Sequence, residues 1–198
     1  LLIAVDFTNY IPKIILLSMI ATKEFNWLFK YGIPFIMIAF TACSTRHPYW
    51  VQKNKTDQIL LGSVQKSILL KHRITQPWFE PSYNSYVMDT ATIRELKQYV
   101  EPMQVLVFAG SWCSDTQREL PKFYRIADAI GLPEPKIHVH MLNEEKKGFY
   151  VNEAVFEVKS VPTCIFLKNG KEVGRIIEMS TQAFEKEWLS FYQTKGNN

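Results

Sequence analysis

The stretch MQVLVFAGSWCSDTQRELPKF, residues 103–123, decides how the rest of the chain is read. It opens on a short apolar run rich in β-branched side chains, bounded by Pro102 and Gly110, which predicts a buried strand. After Gly110 the period changes. Leu120, Phe123, Ile126, Ala127 and Ile130 recur at helical spacing, so a helix is expected over 116–130, ended by Gly131 and Pro133. Cys113 therefore stands between a strand and the start of a helix. Unpaired backbone N–H groups and the positive end of the helix dipole favour thiolate over thiol there, and thiolate is the nucleophile of disulfide exchange. Asp115 acts in the opposite sense, because it favours the helix start but repels a nearby thiolate. Thr116 lies one helical turn from Cys113, within reach for its hydroxyl to donate to the sulfur.

Downstream, KIHVHML (136–142) reads as a second strand and GFYVNEAVFEV (148–158) as a helix. TCIFLK (163–168) and KEVGRIIE (171–178) flank Asn169-Gly170, the dipeptide most diagnostic of a two-residue hairpin. A final helix is expected over 181–193, burying Phe184, Trp188 and either Phe191 or Tyr192. The order β-α-β-α-β-β-α defines an α/β fold, a mixed central sheet with helices on both faces. Upstream, residues 59–100 read as helical in pieces. These are a helix in ILLGSVQKSILLK (59–71), an aromatic turn in QPWFEPSYNSY (76–86), and a helix over 90–99 capped by Asp89, with Ile93 and Leu96 inward. Trp78, Phe79, Tyr83 and Tyr86 are read as cover for the core, with a ligand platform as the alternative.

The motif set resembles the thioredoxin superfamily over residues 103–192. Trp112-Cys113 stands where that superfamily carries Trp-Cys of its redox motif, and Pro121 matches its helix-kinking proline. Val161-Pro162-Thr163 resembles its cis-proline motif, and the segment ending in Asn169-Gly170 resembles the hairpin that follows. Residues 58–100 look like the N-terminal helical extension of exported bacterial thioredoxin-family lipoproteins. The resemblance implies a thioredoxin-like fold and thiol chemistry with no metal or organic cofactor. It makes Cys113 the attacking thiol, with Trp112, Asp115 and Thr116 around it, and Val161, Pro162 and Thr163 the backbone that docks a substrate, near Glu178.

The departures are as informative. Thioredoxins use Cys-x-x-Cys; here the fourth position is Thr116, so no disulfide forms within the motif. The buried acid and lysine that serve the second thiol in thioredoxins are replaced by Val107 and Met141. Glu178 and Met179 take the place of small residues on the docking surface, which implies a different substrate choice. Cys164, two residues beyond the cis-proline position in a strand, is expected to face the core rather than resolve a Cys113 disulfide. His138 and His140 share a strand face without a third ligand at suitable spacing, so no metal site is expected. The Thr-x-x-Cys order and arginine of peroxiredoxins are missing. Two functions remain in view. One is an exported thiol oxidoreductase with a single nucleophilic cysteine, whose partners are protein or small-molecule thiols and disulfides. The alternative is a non-catalytic binding module that holds a partner at the cell envelope; a Cys113-linked homodimer is a third option.

The flanks bear on location. Residues 1–18 are expected to lie upstream of the true start at Met19. From there Lys23 and Lys30, the apolar run YGIPFIMIAF (31–40) and the small residues before Cys43 follow the order of a secretory signal. Phe40-Thr41-Ala42-Cys43 resembles a bacterial lipobox, which predicts lipidation of Cys43 and a membrane-anchored protein of the bacterial cell envelope. An uncleaved anchor or an apolar arm is the alternative. Residues 43–57 are expected to be a flexible tether, 58–100 the extension, 101–193 the thioredoxin-like domain and 194–198 a polar tail. The formal charge of +4 is spread among interleaved acids, which argues against nucleic acid as a partner.

Overall fold

A computed structural model of the chain describes residues 49–53, 58–148 and 153–193. In chain order the elements are β1 (Tyr49–Lys53), β2 (Gln58–Val64), α1 (Lys66–Lys71), α2 (Gln76–Ser85), α3 (Thr90–Leu96), β3 (Met103–Ala109), α4 (Ser114–Ile130), β4 (Ile137–Met141), β5 (Thr163–Lys168), β6 (Lys171–Ile177) and α5 (Phe184–Gln193). The strands form one mixed sheet in the order β1-β2-β4-β3-β5-β6. Among the described strands only β3 and β4 run parallel, joined by the crossover through α4, and the other neighbouring pairs are antiparallel. This is the mixed α/β architecture of a thioredoxin-like fold.

Local chemistry accounts for the element ends. Asp89 accepts a hydrogen bond from the Thr92 N–H at 2.9 Å and so caps α3. Gly131 closes α4 at φ 80°, a conformation in which a Cβ is disfavoured. Asn169 and Gly170 both have positive φ, as a two-residue turn matched to strand twist requires, and Lys168 pairs with Lys171 across it. Met103, Val105 and Val107 of β3 alternate with Leu106 and Phe108, and the two sets belong to different cores. The first core contains the buried side chains of α1 to α5, with Trp188 stacked on Phe123 at 5.4 Å and tilted against Phe166 at 4.8 Å.

Several expectations are corrected. Ile59, Leu60 and Leu61 lie in a strand, not a helix. β2 lies between β1 and β4, and Ile59, Leu60 and Leu61 are all buried although they point alternately to its two faces; both faces are therefore covered, and the run of three apolar residues has no alternation to identify it. The tether expected over 43–57 contains β1, a largely exposed edge strand whose ladder partner is β2. The aromatic turn at 76–86 is helix α2. Pro77 lies in its first turn, where a missing N–H costs nothing, and Trp78 Nε1 donates to the Ile74 carbonyl at 2.9 Å. Phe79 is fully buried, and Trp78, Tyr83 and Tyr86 pack on the same core. The helix expected over 148–158 is not formed among its described residues: 153–157 are turns, and Phe156 and Val158 cover the second core. The described helices thus all send buried side chains to one face of the sheet, and irregular chain covers the other. The last helix starts at Phe184 rather than at 181, the Thr181 N–H donating instead to Glu187.

Candidate active site

Strand β3 delivers the chain to a tight turn, Gly110 to Cys113, closed by the Cys113 N–H donating to the Gly110 carbonyl at 2.9 Å. Cys113 is the N-cap of α4, in extended backbone conformation, and its carbonyl accepts from the Gln117 N–H at 3.1 Å to begin the helix. The side chain is half-buried against the second core. Its thiol donates to the carbonyl of Val161 at 3.2 Å. The bond from Val161 to Pro162 is cis. The nucleophile candidate and the cis-proline loop, 48 residues apart in sequence, are therefore in direct contact, brought together because β3 and β5 are neighbours in the sheet.

The cis-proline loop is held from both ends. Thr163 Oγ1 donates to the Ser160 carbonyl at 2.7 Å, and the Glu178 N–H donates to the Pro162 carbonyl at 2.7 Å. Glu178 has φ 60° and an exposed side chain, and Ile177 and Met179 beside it are about half exposed. The predicted docking residues Val161, Pro162, Thr163 and Glu178 thus form one edge of the site, and the rim beside them is apolar.

On the other edge, Trp112 Nε1 donates to the Leu142 carbonyl at 3.0 Å, which fixes the indole. Thr116 is fully buried, and its hydroxyl oxygen accepts from the Gly110 N–H at 3.1 Å. In this arrangement Thr116 braces the turn, and the Cys113 thiol bonds to the Val161 carbonyl. Asp115 is engaged by Arg118 at 2.8 Å, and Arg118 also reaches Glu119 at 2.8 Å. A cation therefore offsets the Asp115 charge beside the thiol.

Cys164 lies in the other core, opposite Val107 in the ladder between β3 and β5. It is free, as is Cys113. Burial, and secondarily the charge of Glu119, push its thiol far above the ordinary range. His140 is held down to about 4 by burial and then by the neighbouring His138, while Ser63 Oγ lies 3.0 Å from its Nδ1. Among the described residues no group of three His, Cys, Asp or Glu side chains is arranged to hold a metal ion, and no helix is long and apolar enough to cross a membrane. Cys43 lies outside the described residues.

Sequence reading missed four contributors. Gly110 is required by Trp112, because a Cβ there would stand 2.7 Å from the indole. Ser111 is buried, and its Oγ accepts from the Leu60 N–H of β2 at 2.9 Å, tying the extension to the site turn. Gln117 Nε2 donates to the Ser111 carbonyl at 3.0 Å. Glu119 is a buried carboxylate paired with Arg118 and Lys122. Only Gly110, at the junction of strand and turn, carried a signal in its residue type.

A half-buried cysteine at the mouth of a helix, against a cis-proline loop on the adjacent central strand, defines a thioredoxin-like protein. Residues 69–189 match the family described as Thioredoxin, and the chain belongs to that family. A thioredoxin-like protein of Acanthamoeba polyphaga mimivirus is 28% identical over 82 residues, 41% of this chain and 57% of that protein, so the chain spans little more than half the length of this curated relative. Among solved structures, a Pseudomonas aeruginosa protein of unknown function is similar with a TM-score of 0.45 and 16% identity, over 66% of this chain and 81% of that one. Mitochondrial thioredoxin 3 of Saccharomyces cerevisiae, in its oxidised form, is similar with a TM-score of 0.28 and 19% identity, over 57% of this chain and 98% of that one.

Proposed function

We propose that this thioredoxin-family chain is an exported thiol oxidoreductase that works with one nucleophilic cysteine, Cys113. The observation that carries the reading is the contact between the Cys113 sulfur, at the start of α4, and the carbonyl that precedes cis-Pro162. In the reaction the Cys113 thiolate attacks one sulfur of a partner disulfide. A sulfur–sulfur bond forms to Cys113, the partner's own bond breaks, and its second sulfur leaves with the electron pair and takes a proton from solvent. Thr116 has no thiol with which to attack the mixed disulfide, and Cys164 is buried on the far side of the sheet. An outside thiol, from a small molecule or a protein, therefore completes the exchange and returns Cys113 as thiolate. Trp112 and the backbone of Val161 to Thr163 orient the partner, and the Asp115–Arg118 pair lessens repulsion at the sulfur. No metal or organic cofactor takes part in this scheme. The signal-like order of residues 19–43 supports export and a lipid anchor at Cys43, with the domain facing the space outside the inner membrane.

The test is intact-mass analysis after incubation with a disulfide-bonded peptide and acid quenching. One peptide is expected to add at Cys113, to be lost in Cys113→Ser and kept in Cys164→Ser. No adduct at neutral pH, or an adduct on Cys164, overturns the reading. Undiminished capture of a partner by Cys113→Ser would instead mark a non-catalytic binding module. Anchoring is checked separately: detergent-phase partitioning of the full chain is expected to disappear in Cys43→Ala.

A further inference from the structure

A groove of about 530 Å³ opens beside Trp112, and none of its lining residues belongs to the cis-proline loop. Its walls come mainly from two parts of the chain. Gln58, Arg73 and Trp78 belong to the extension that precedes β3, and Ser111, Trp112 and Gln117 belong to the site turn and the first turn of α4. The Ser111 bond to the Leu60 N–H ties the two walls together, and the Gln117 bond to the Ser111 carbonyl fixes the second wall. Both indoles are fixed through their N–H groups, Trp78 on Ile74 and Trp112 on Leu142.

The charge in the groove has a direction. Arg73 donates to the side-chain oxygen of Gln58. Among the described residues no carboxylate lies within ion-pair distance of Arg73. Glu144, on the turn after β4, also lines the groove, so the surface is not uniformly cationic. Cys113 itself does not line it, although Trp112 just before it and Gln117 one helical turn after it do. An occupant bonded to the Cys113 sulfur must therefore cross Trp112 before it meets Arg73. A polypeptide advances roughly 3.3 Å per residue, so the residues flanking its disulfide can make that crossing.

We propose that this groove is a specificity subsite for polypeptide disulfides, which seats the chain flanking the substrate's reactive cysteine and places an acidic side chain on Arg73. The proposal rests on Cys113 being the nucleophile. It assigns the extension a part in substrate choice as well as in folding, and it makes the favoured substrate a protein with Asp or Glu within about three residues of its disulfide.

The test uses peptides with one cysteine activated as a thiopyridyl disulfide. Cys113 displaces thiopyridone: the new sulfur–sulfur bond joins Cys113 to the peptide, and thiopyridone leaves with the electron pair of the broken bond. Glu or Lys is placed one, two or three residues from the cysteine, on either side. Each rate is normalised to the rate of the same variant with uncharged 4,4′-dithiodipyridine. At one of these positions the Glu peptide is expected to react about fivefold faster than the Lys peptide. The preference is expected to vanish in Arg73→Gln, to reverse in Arg73→Glu, and to persist in Lys71→Gln, which removes the same charge outside the groove. Equal rates at every position, or a preference unchanged in Arg73→Glu, overturn the subsite while leaving Cys113 as the nucleophile. No reaction with dithiodipyridine overturns the nucleophile and the subsite with it.

Discussion

Gly110 carries two obligations, and each can be broken separately. Its missing side chain makes room for the Trp112 indole, and its N–H is the donor that Thr116 satisfies. The indole cannot step aside without giving up its bond to Leu142. Gly110→Ala is therefore expected to destabilise the fold by about 1–3 kcal/mol, through overpacking, and to shift tryptophan emission. Urea midpoints and emission spectra check both; wild-type values would mean that the ring is not held as described. Thr116→Val keeps the volume but strands a buried N–H, at a cost of about 1–3 kcal/mol, and Thr116→Ser should recover most of it. The residue types of this site were legible because Trp112, Cys113, Pro121 and Pro162 are each chemically distinctive. Ser111, Gln117 and Glu119 were not, because a serine, glutamine or glutamate gains its role only from what it faces. For Ser111 that is Leu60, 51 residues away.

Strand β2 joins the extension to the site, and Ser111→Ala tests the joint. The substitution leaves the Leu60 N–H unpaired inside the sheet and should cost about 1–3 kcal/mol, read from denaturant midpoints; a neutral effect would show that the two parts are not coupled through this bond. Strand β4 contributes a pH dependence. Burial, and then the charge of His138, hold His140 down to about 4 against 6.5 for the free side chain, with its ring 5.6 Å from that of Phe108. Between those values the unfolded chain binds the extra proton and the folded chain does not. The contribution of neutral His140 is thus complete above about pH 6.5, declines as pH falls, and levels off near 4, with up to about 3 kcal/mol at stake. Urea midpoints at pH 7 and pH 5 are expected to differ in the wild type and to converge in His140→Gln. The elements themselves were legible wherever one period dominated, as in α4 or the hairpin of β5 and β6. They were obscure in β2, covered on both faces, and in α2, whose two prolines read as a turn.

The sheet divides the two described thiols between separate cores, Cys113 at the edge of one and Cys164 inside the other. A limiting pulse of iodoacetamide on the native protein is accordingly expected to modify Cys113 alone, with Cys164 reacting only after denaturation; early labelling of Cys164 would contradict its burial. The strand order has a consequence for how the molecule comes apart. The sulfur and the loop it contacts hang from β3 and β5, inside the sheet, whereas the groove wall that bears Gln58 and Arg73 depends on β2 and the chain just after it, near the β1 edge. Structures commonly open from their margins in partial steps, so amide protons of β1 and β2 should exchange with deuterium well before those of β3. At mild denaturant the protein would then pass through a form that still reacts but no longer discriminates, losing its choice of substrate before its chemistry.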